Sequence, residues 1–122
     1  MTIDPENAVV KLCLAGTRAE FDHHPDEAQA LYRQAWVAAS NNYEACIAAH
    51  YVARFPADRE DALHWHQIAL NCAQQLEHEQ AREFYPSLYL GLGRAHEDLG
   101  NSLEAQRYYQ LAAELGYAHQ MD

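Results

Sequence analysis

Glycine and proline are scarce in this chain, with 5 and 4 copies in 122 residues, so few positions interrupt regular structure and the elements between them can be long. Runs of β-branched residues are absent, the longest being Val9-Val10. There are three cysteines, Cys13, Cys46 and Cys72, widely spaced and with no CxxC among them. An odd count at such spacings suggests neither a disulfide framework nor a zinc cluster. No apolar run approaches the roughly twenty residues that span a bilayer. The first residues, Met1 to Glu6, carry neither the basic start nor the apolar stretch of a signal peptide. The expectation is a cytoplasmic protein with no membrane partner.

What is present favours helices. Apolar residues make up 49% of the chain and charged residues 21%, a balance that supports one compact core rather than disorder. Ala, Leu, Glu, Gln and Arg dominate, and these are strong helix formers. The formal net charge is −10 with histidines neutral. A field of that sign repels nucleic acid and anionic lipid, so no nucleic-acid partner is expected. It fits a basic partner or plain solubility.

The punctuation marks six helices. Asp4-Pro5-Glu6 has the order of an N-cap, a proline at the first helical position and an acidic first turn, predicting a helix to about Asp22. His24-Pro25-Asp26-Glu27 repeats that grammar and predicts a second, to about Ala39. Ser40, Asn41 and Asn42 cap a third that ends before Pro56. Asp58-Arg59-Glu60-Asp61 opens a fourth. Its end falls near Glu77 to Gln80, with Pro86 in the first turns of helix five; a start at Pro86 itself is the alternative. Gly100 closes helix five, Asn101 with Glu104 has the pattern of a capping box for helix six, and Gly116 ends it. Short loops make consecutive helices antiparallel neighbours. Apolar residues recur at three and four, as in Leu12, Ala15 and Ala19, in Ala28, Leu31 and Ala35, and in Leu88, Leu92, Ala95 and Leu99.

One segment carries a family signature. Tyr89-x-x-Leu92-Gly93-x-x-His96, followed by Ala105-x-x-x-Tyr109, resembles the tetratricopeptide pattern W-x-x-L-G-x-x-Y…A-x-x-x-F, with His96 where the pattern prefers tyrosine. Carried upstream, the small residue of each second helix falls on Ala28, Ala62 and Ala105. The first two are 34 residues apart, the family's period, and the last two 43 apart, which implies an insertion around Leu76 to Pro86. Leu12, Ala15-Gly16, Ala19, Tyr32 and Ala35 keep the register in the first repeat; Cys46, Ala49-His50, Ala53, His66 and Ala69 hold it in the degenerate second.

The resemblance implies an all-α fold, antiparallel helix-turn-helix repeats stacked into a short right-handed α-solenoid. It makes residues 1–122 a single domain with repeats at about 5–40, 41–77 and 80–116. It further implies a protein-interaction module, not an enzyme, that binds a peptide or helix of another protein on its concave face. The first helix of each pair lines that face, which by resemblance carries Cys13, Thr17, Glu20 and Phe21, then Ile47, Tyr51, Arg54 and Phe55, then Leu90, Arg94 and Glu97. Aromatic and guanidinium groups dominate binding hot spots. Phe21 and Phe55 could instead plug the turns as core. Some relatives clamp a carboxylate-ended peptide with lysines, and the only lysine here, Lys11, lies outside the groove.

Other chemistry is thinly represented. His50 and His66 fall in one repeat and could face each other, the basis of an alternative small-ligand or metal sensor. A metal site needs three or four converging ligands, and no metal or cofactor is expected. Gly91-x-Gly93 lies inside a helix with no strand before it, so close packing explains it better than a phosphate loop. Cys13 with a distant histidine is a weak nucleophile signal, and no catalytic residue is assigned. In helix six the family pattern assigns Ala105, Tyr109 and Ala112 to the core, leaving Tyr108, Leu111 and Leu115 towards solvent. That stripe predicts cover by a second copy, as in a self-assembling scaffold, or by the tail Tyr117 to Met121.

Overall fold

A computed structural model describes residues 4–115. Among them are seven helices and no strand: α1 Ala8–Phe21, α2 Pro25–Ala38, α3 Asn42–Val52, α4 Arg59–Gln74, α5 His78–Ala81, α6 Tyr85–Asp98 and α7 Ser102–Glu114. The predicted end at Gly116 and the tail Tyr117 to Met121 lie outside the described residues.

The caps decide the boundaries. Asn7 opens α1, its carboxamide oxygen accepting from the Val9 and Val10 amides at 2.8 and 3.2 Å. The predicted Asp4-Pro5-Glu6 start is only a turn before the helix, with Asp4 accepting from the Glu6 amide. Asn41 and Asp58 cap α3 and α4 by accepting from the amides three residues on, each at 2.8 Å. Glu44 and Asp61 return the favour, accepting from the Ser40 and Ala57 amides at 2.9 Å. The predicted capping box at Asn101 does not form. The Asn101 amide group turns back to His96 Nδ1 at 3.2 Å, and Glu104 pairs with Arg107 at 3.3 Å.

The region between α4 and α6 corrects the six-helix expectation. Glu77 is extended (ψ 148°), which breaks the chain, and α5 is then one separate turn anchored by buried Ala81. Pro86 sits in the first turn of α6, where a missing N–H costs no helical bond. The ends of α1 and α6 share one geometry. Asn101 and Gly100 amides reach back to the His96 and Glu97 carbonyls, and His24 and His23 amides do the same to Ala19 and Glu20. Gly100 takes the left-handed conformation at φ +80°, and His23 takes it at φ +62° despite its side chain.

Helices pack in neighbouring pairs, α1 on α2, α3 on α4 and α6 on α7, and the pairs meet through α2 on α3 and α4 on α6. Buried Tyr32, Cys46, Ala49, Trp65, Ala69, Leu88, Leu92 and Tyr108 form the main core. Val9, Val10, Cys13, Ala35, Ile47 and Ala48 form a second, joined to the first by Trp36, Tyr51 and Phe84. Trp36 meets Trp65 edge-on at 5.2 Å.

Two expectations about side chains change here, while Ile47, expected on the inner face, also packs in the second core. Phe21 neither plugs a turn nor joins a groove and is 80% exposed. In α7 the two tyrosines exchange roles: Tyr108 is buried between Tyr89 and His96, with Arg107 over its ring at 4.8 Å, while Tyr109 is only half-buried. The reason is α6, which offers the Tyr89 and His96 rings to Tyr108 and only the Gly93 notch to Tyr109.

Candidate functional site: a groove between α3 and α6

A spacing recurs in the three helix pairs and shows where the middle one departs. In α1 and α2, Gly16 receives the ring of Tyr32, sixteen residues later, and the Tyr32 hydroxyl donates to Glu20. In α6 and α7, Gly93 receives the ring of Tyr109, again sixteen later, and the Tyr109 hydroxyl donates to Glu97 at 3.1 Å. The glycines are needed there, because a Cβ at either would overlap the ring. The corresponding residues of α3 and α4 are His50, Arg54 and His66. Small becomes large, acid becomes base, and tyrosine becomes histidine.

The tie therefore cannot form in the middle pair, and its groups go elsewhere. Arg54 reaches to the first pair, where Nη2 and Nε donate to the two Glu20 oxygens at 2.6 and 2.8 Å. That fork holds the Glu20 carboxyl below the usual carboxylate range. Burial and the hydrogen bond to Glu20 push the Tyr32 hydroxyl up to about 12. His66 turns to the next pair and lies against Gly91 of α6, where a built Cβ would come within 2.7 Å of Nδ1 and Cε1. Its Nδ1 is buried with no hydrogen-bond partner. Burial, with the nearby His50 and Arg94, pushes the His66 pKa down to about 4, so the ring is neutral near pH 7. Burial likewise lowers His50, with help from the Arg54 charge.

These residues line a groove whose floor is α4, which packs on both α3 and α6. On α3, Tyr43, Ile47, His50 and Arg54 recur at four, three and four; on α6, Ser87, Leu90, Arg94 and Asp98 do so at three, four and four. Near the start of α6 the groove is an apolar pocket of about 240 Å³ against Ile47, Tyr51, Phe84 and Leu88. Towards the end of α6 it opens into a polar pocket of about 450 Å³ with Arg54, His66, Arg94 and Asp98. His50 and Ser87 border both, so the two pockets adjoin.

No protein family, curated protein or solved structure matches the chain.

Of the residues singled out for the inner face, Ile47, Tyr51, Arg54, Leu90 and Arg94 line this groove. Thr17 lies outside it, bonded to the Cys13 carbonyl at 3.0 Å and beside the Tyr32 hydroxyl. Phe55 stacks on Tyr32 at 6.1 Å, and Glu97 is taken by Tyr109. Ser87, Phe84 and Asp98 were not foreseen as lining residues. Their signal was the helical spacing from Leu90 and Arg94, obscured by the uncertain start of α6.

The groups elsewhere carry little chemistry. Cys13 and Cys46 are buried, and burial pushes both thiols up to about 12, far from the thiolate a nucleophile needs. Among the described residues no group of three or more His, Cys, Asp or Glu side chains is placed to hold a metal ion. Nor, among them, is any helix long and apolar enough to cross a membrane.

Proposed function

We propose that the chain is a protein-interaction module of tetratricopeptide-like helix hairpins, stacked into a short right-handed solenoid. It receives a peptide or helix of another protein in the groove between α3 and α6. The observation that carries this reading is the pair of adjoining pockets between α3 and α6, one apolar and one polar, bordered by Tyr51, Leu90 and Arg94. Concave sites with an apolar body and a few polar groups are where ligands bind. The repeated Gly16–Tyr32–Glu20 and Gly93–Tyr109–Glu97 ties support a repeat origin. Free cysteines suit a reducing cytoplasm, and the net charge of −10 argues against nucleic acid or an anionic membrane as partner. Catalysis is not part of the proposal.

The test is binding to a partner recovered from native cells. Tyr51→Ala and Arg94→Ala should each weaken it, measured well below the melting temperature of both. Arg94→Ala should leave the melting curve nearly unchanged, whereas Tyr51→Ala, which removes a ring stacked on Tyr32 at 5.1 Å, should lower it. A partner that binds both variants as it binds the wild type refutes the groove reading. The rival, a self-assembling scaffold, has less support: of Tyr108, Leu111 and Leu115, Tyr108 is 6% exposed and Leu111 packs partly on the core, leaving Leu115 at 49%. Sedimentation at high concentration separates the two, since a strict monomer leaves the scaffold without a basis.

A further inference from the structure

The polar half of the groove holds an imbalance. Arg94 lines it from α6, and among the described residues no carboxylate lies within ion-pair distance of its guanidinium. Arg54, across the groove on α3, is already neutralised by Glu20. Asp98 borders the same pocket one turn beyond Arg94, and Glu83 borders the apolar pocket at the opposite end. His66 adds a buried Nδ1 without a partner, its ring filling the space that Gly91 leaves by having no side chain. A neutral imidazole donates from Nδ1 when its proton sits there. A charged donor in the open and a buried neutral imidazole thus border one pocket. Native structures rarely leave a buried polar atom unpaired without a reason.

The unpaired His66 arises in the middle pair, where the glycine–tyrosine–acid tie of its neighbours is replaced by His50, His66 and Arg54; Arg94 faces it from the third pair. Packing alone does not ask for that replacement, since the tie closes the first and third pairs with every polar group satisfied. The replacement removes an acid from the groove wall and leaves His66 turned towards Arg94. On a chain of net charge −10, this pocket holds two guanidinium groups, Arg54 and Arg94, of which only Arg54 is in an ion pair among the described residues, beside the single carboxylate of Asp98.

We propose that the groove takes an extended peptide bearing an Asp or Glu side chain two or three residues from an aliphatic one. The carboxylate sits against Arg94, beside the buried His66 ring, and the aliphatic group fills the apolar pocket. The spacing follows from α6: Leu88 in the apolar half and Arg94 in the polar half are about 9 Å apart along a helix rising 1.5 Å per residue. An extended peptide covers that in roughly three residues at about 3.3 Å each. The proposal rests on the interaction-module reading and adds the chemistry of the partner to it.

A random-peptide display library panned on the full chain supplies the probe. Selected sequences are synthesised with acetylated and amidated ends, so that only side-chain carboxylates remain. The expected result is enrichment of Asp or Glu near an aliphatic residue. Replacing that acid by its amide, or Arg94→Gln in the protein, should each weaken binding about tenfold or more. The two losses should not add when combined, as expected of direct partners. The His66 ring, followed by NMR, should titrate at higher pH in the complex because a carboxylate favours its charged form. Selected peptides that lose affinity with Tyr51→Ala but not with Arg94→Gln overturn this ligand chemistry and leave the groove reading standing. Peptides that bind only through their free ends, when these are restored, also overturn it. Peptides indifferent to both variants, or no binders at all, overturn the groove reading as well.

Discussion

Gly16→Ala is the sharpest test of the packing described here. The Cβ it adds would overlap Tyr32 Cε1 and come within 2.7 and 2.9 Å of Cδ1 and Cζ. Tyr32 is 1% exposed and cannot swing away. Tyr51 stacks on it at 5.1 Å, Phe55 at 6.1 Å, and its hydroxyl is held by Glu20. Alanine gains about 1 kcal/mol over glycine in a helix interior. Against that stand overpacking of about 1–3 kcal/mol and a weakened charge-assisted hydrogen bond of roughly 1.5–3 kcal/mol. The balance is a loss of about 2 kcal/mol, or on the order of 8 °C in Tm for a domain this size. Gly93→Ala is the matched control. Its Cβ meets Tyr109, which is only half-buried where Tyr32 is fully buried, so the loss should be smaller. Thermal denaturation of both variants by circular dichroism decides the matter. A Gly16→Ala variant as stable as wild type, or more stable, would refute the argument that this glycine is fixed by the Tyr32 ring.

Other outcomes follow from single positions. His23→Gly should raise stability by about 1 kcal/mol in urea denaturation, because His23 holds a left-handed conformation at φ +62° that glycine adopts without strain. Ala105→Trp should unfold or severely destabilise the chain, since Ala105 is 3% exposed and overpacking costs about 1–3 kcal/mol or more; an unchanged melting curve would mean that α7 does not pack as described. Acid should destabilise the fold in a window set first by His66. Its folded pKa of about 4 lies below the ordinary histidine value of 6.5, so the stability it contributes is complete above about 6.5 and is lost as pH falls towards 4. The loss is at most roughly 3 kcal/mol, and denaturation midpoints between pH 7 and 4 should fall less for His66→Phe than for wild type. Glu20 and Glu44 add losses lower down, both being held below the carboxylate range by hydrogen bonds, from Arg54 and from Asn7 respectively.

Much of the helix layout was legible from residue order because it depends on local chemistry. Pro25, Asn41, Asp58, Gly100 and the apolar spacing act within one or two turns of the chain, so they mark helices before any tertiary contact exists. The same local rules misread Asp4 and Asn101, since either can cap a helix or make a tighter turn and the choice falls to neighbours. Asn7 prevails over Asp4 because its amide also donates to Glu44 of α3 at 2.9 Å, and Asn101 is drawn back to His96. Which side of α7 is buried was likewise decided by α6. The apolar spacing leaves Tyr108 and Tyr109 as adjacent candidates, and only the rings of Tyr89 and His96 select Tyr108. The groove belongs wholly to tertiary structure. Sequence places Arg54 and Glu20 thirty-four residues apart and His66 twenty-five before Gly91, and a chain order carries no sign that one pair will join and the other will touch. Those contacts arise because His50 stands where the other two pairs have glycine. That forces the side chains of the middle pair across its boundaries, a consequence of volume that appears only when three helix pairs occupy the same space.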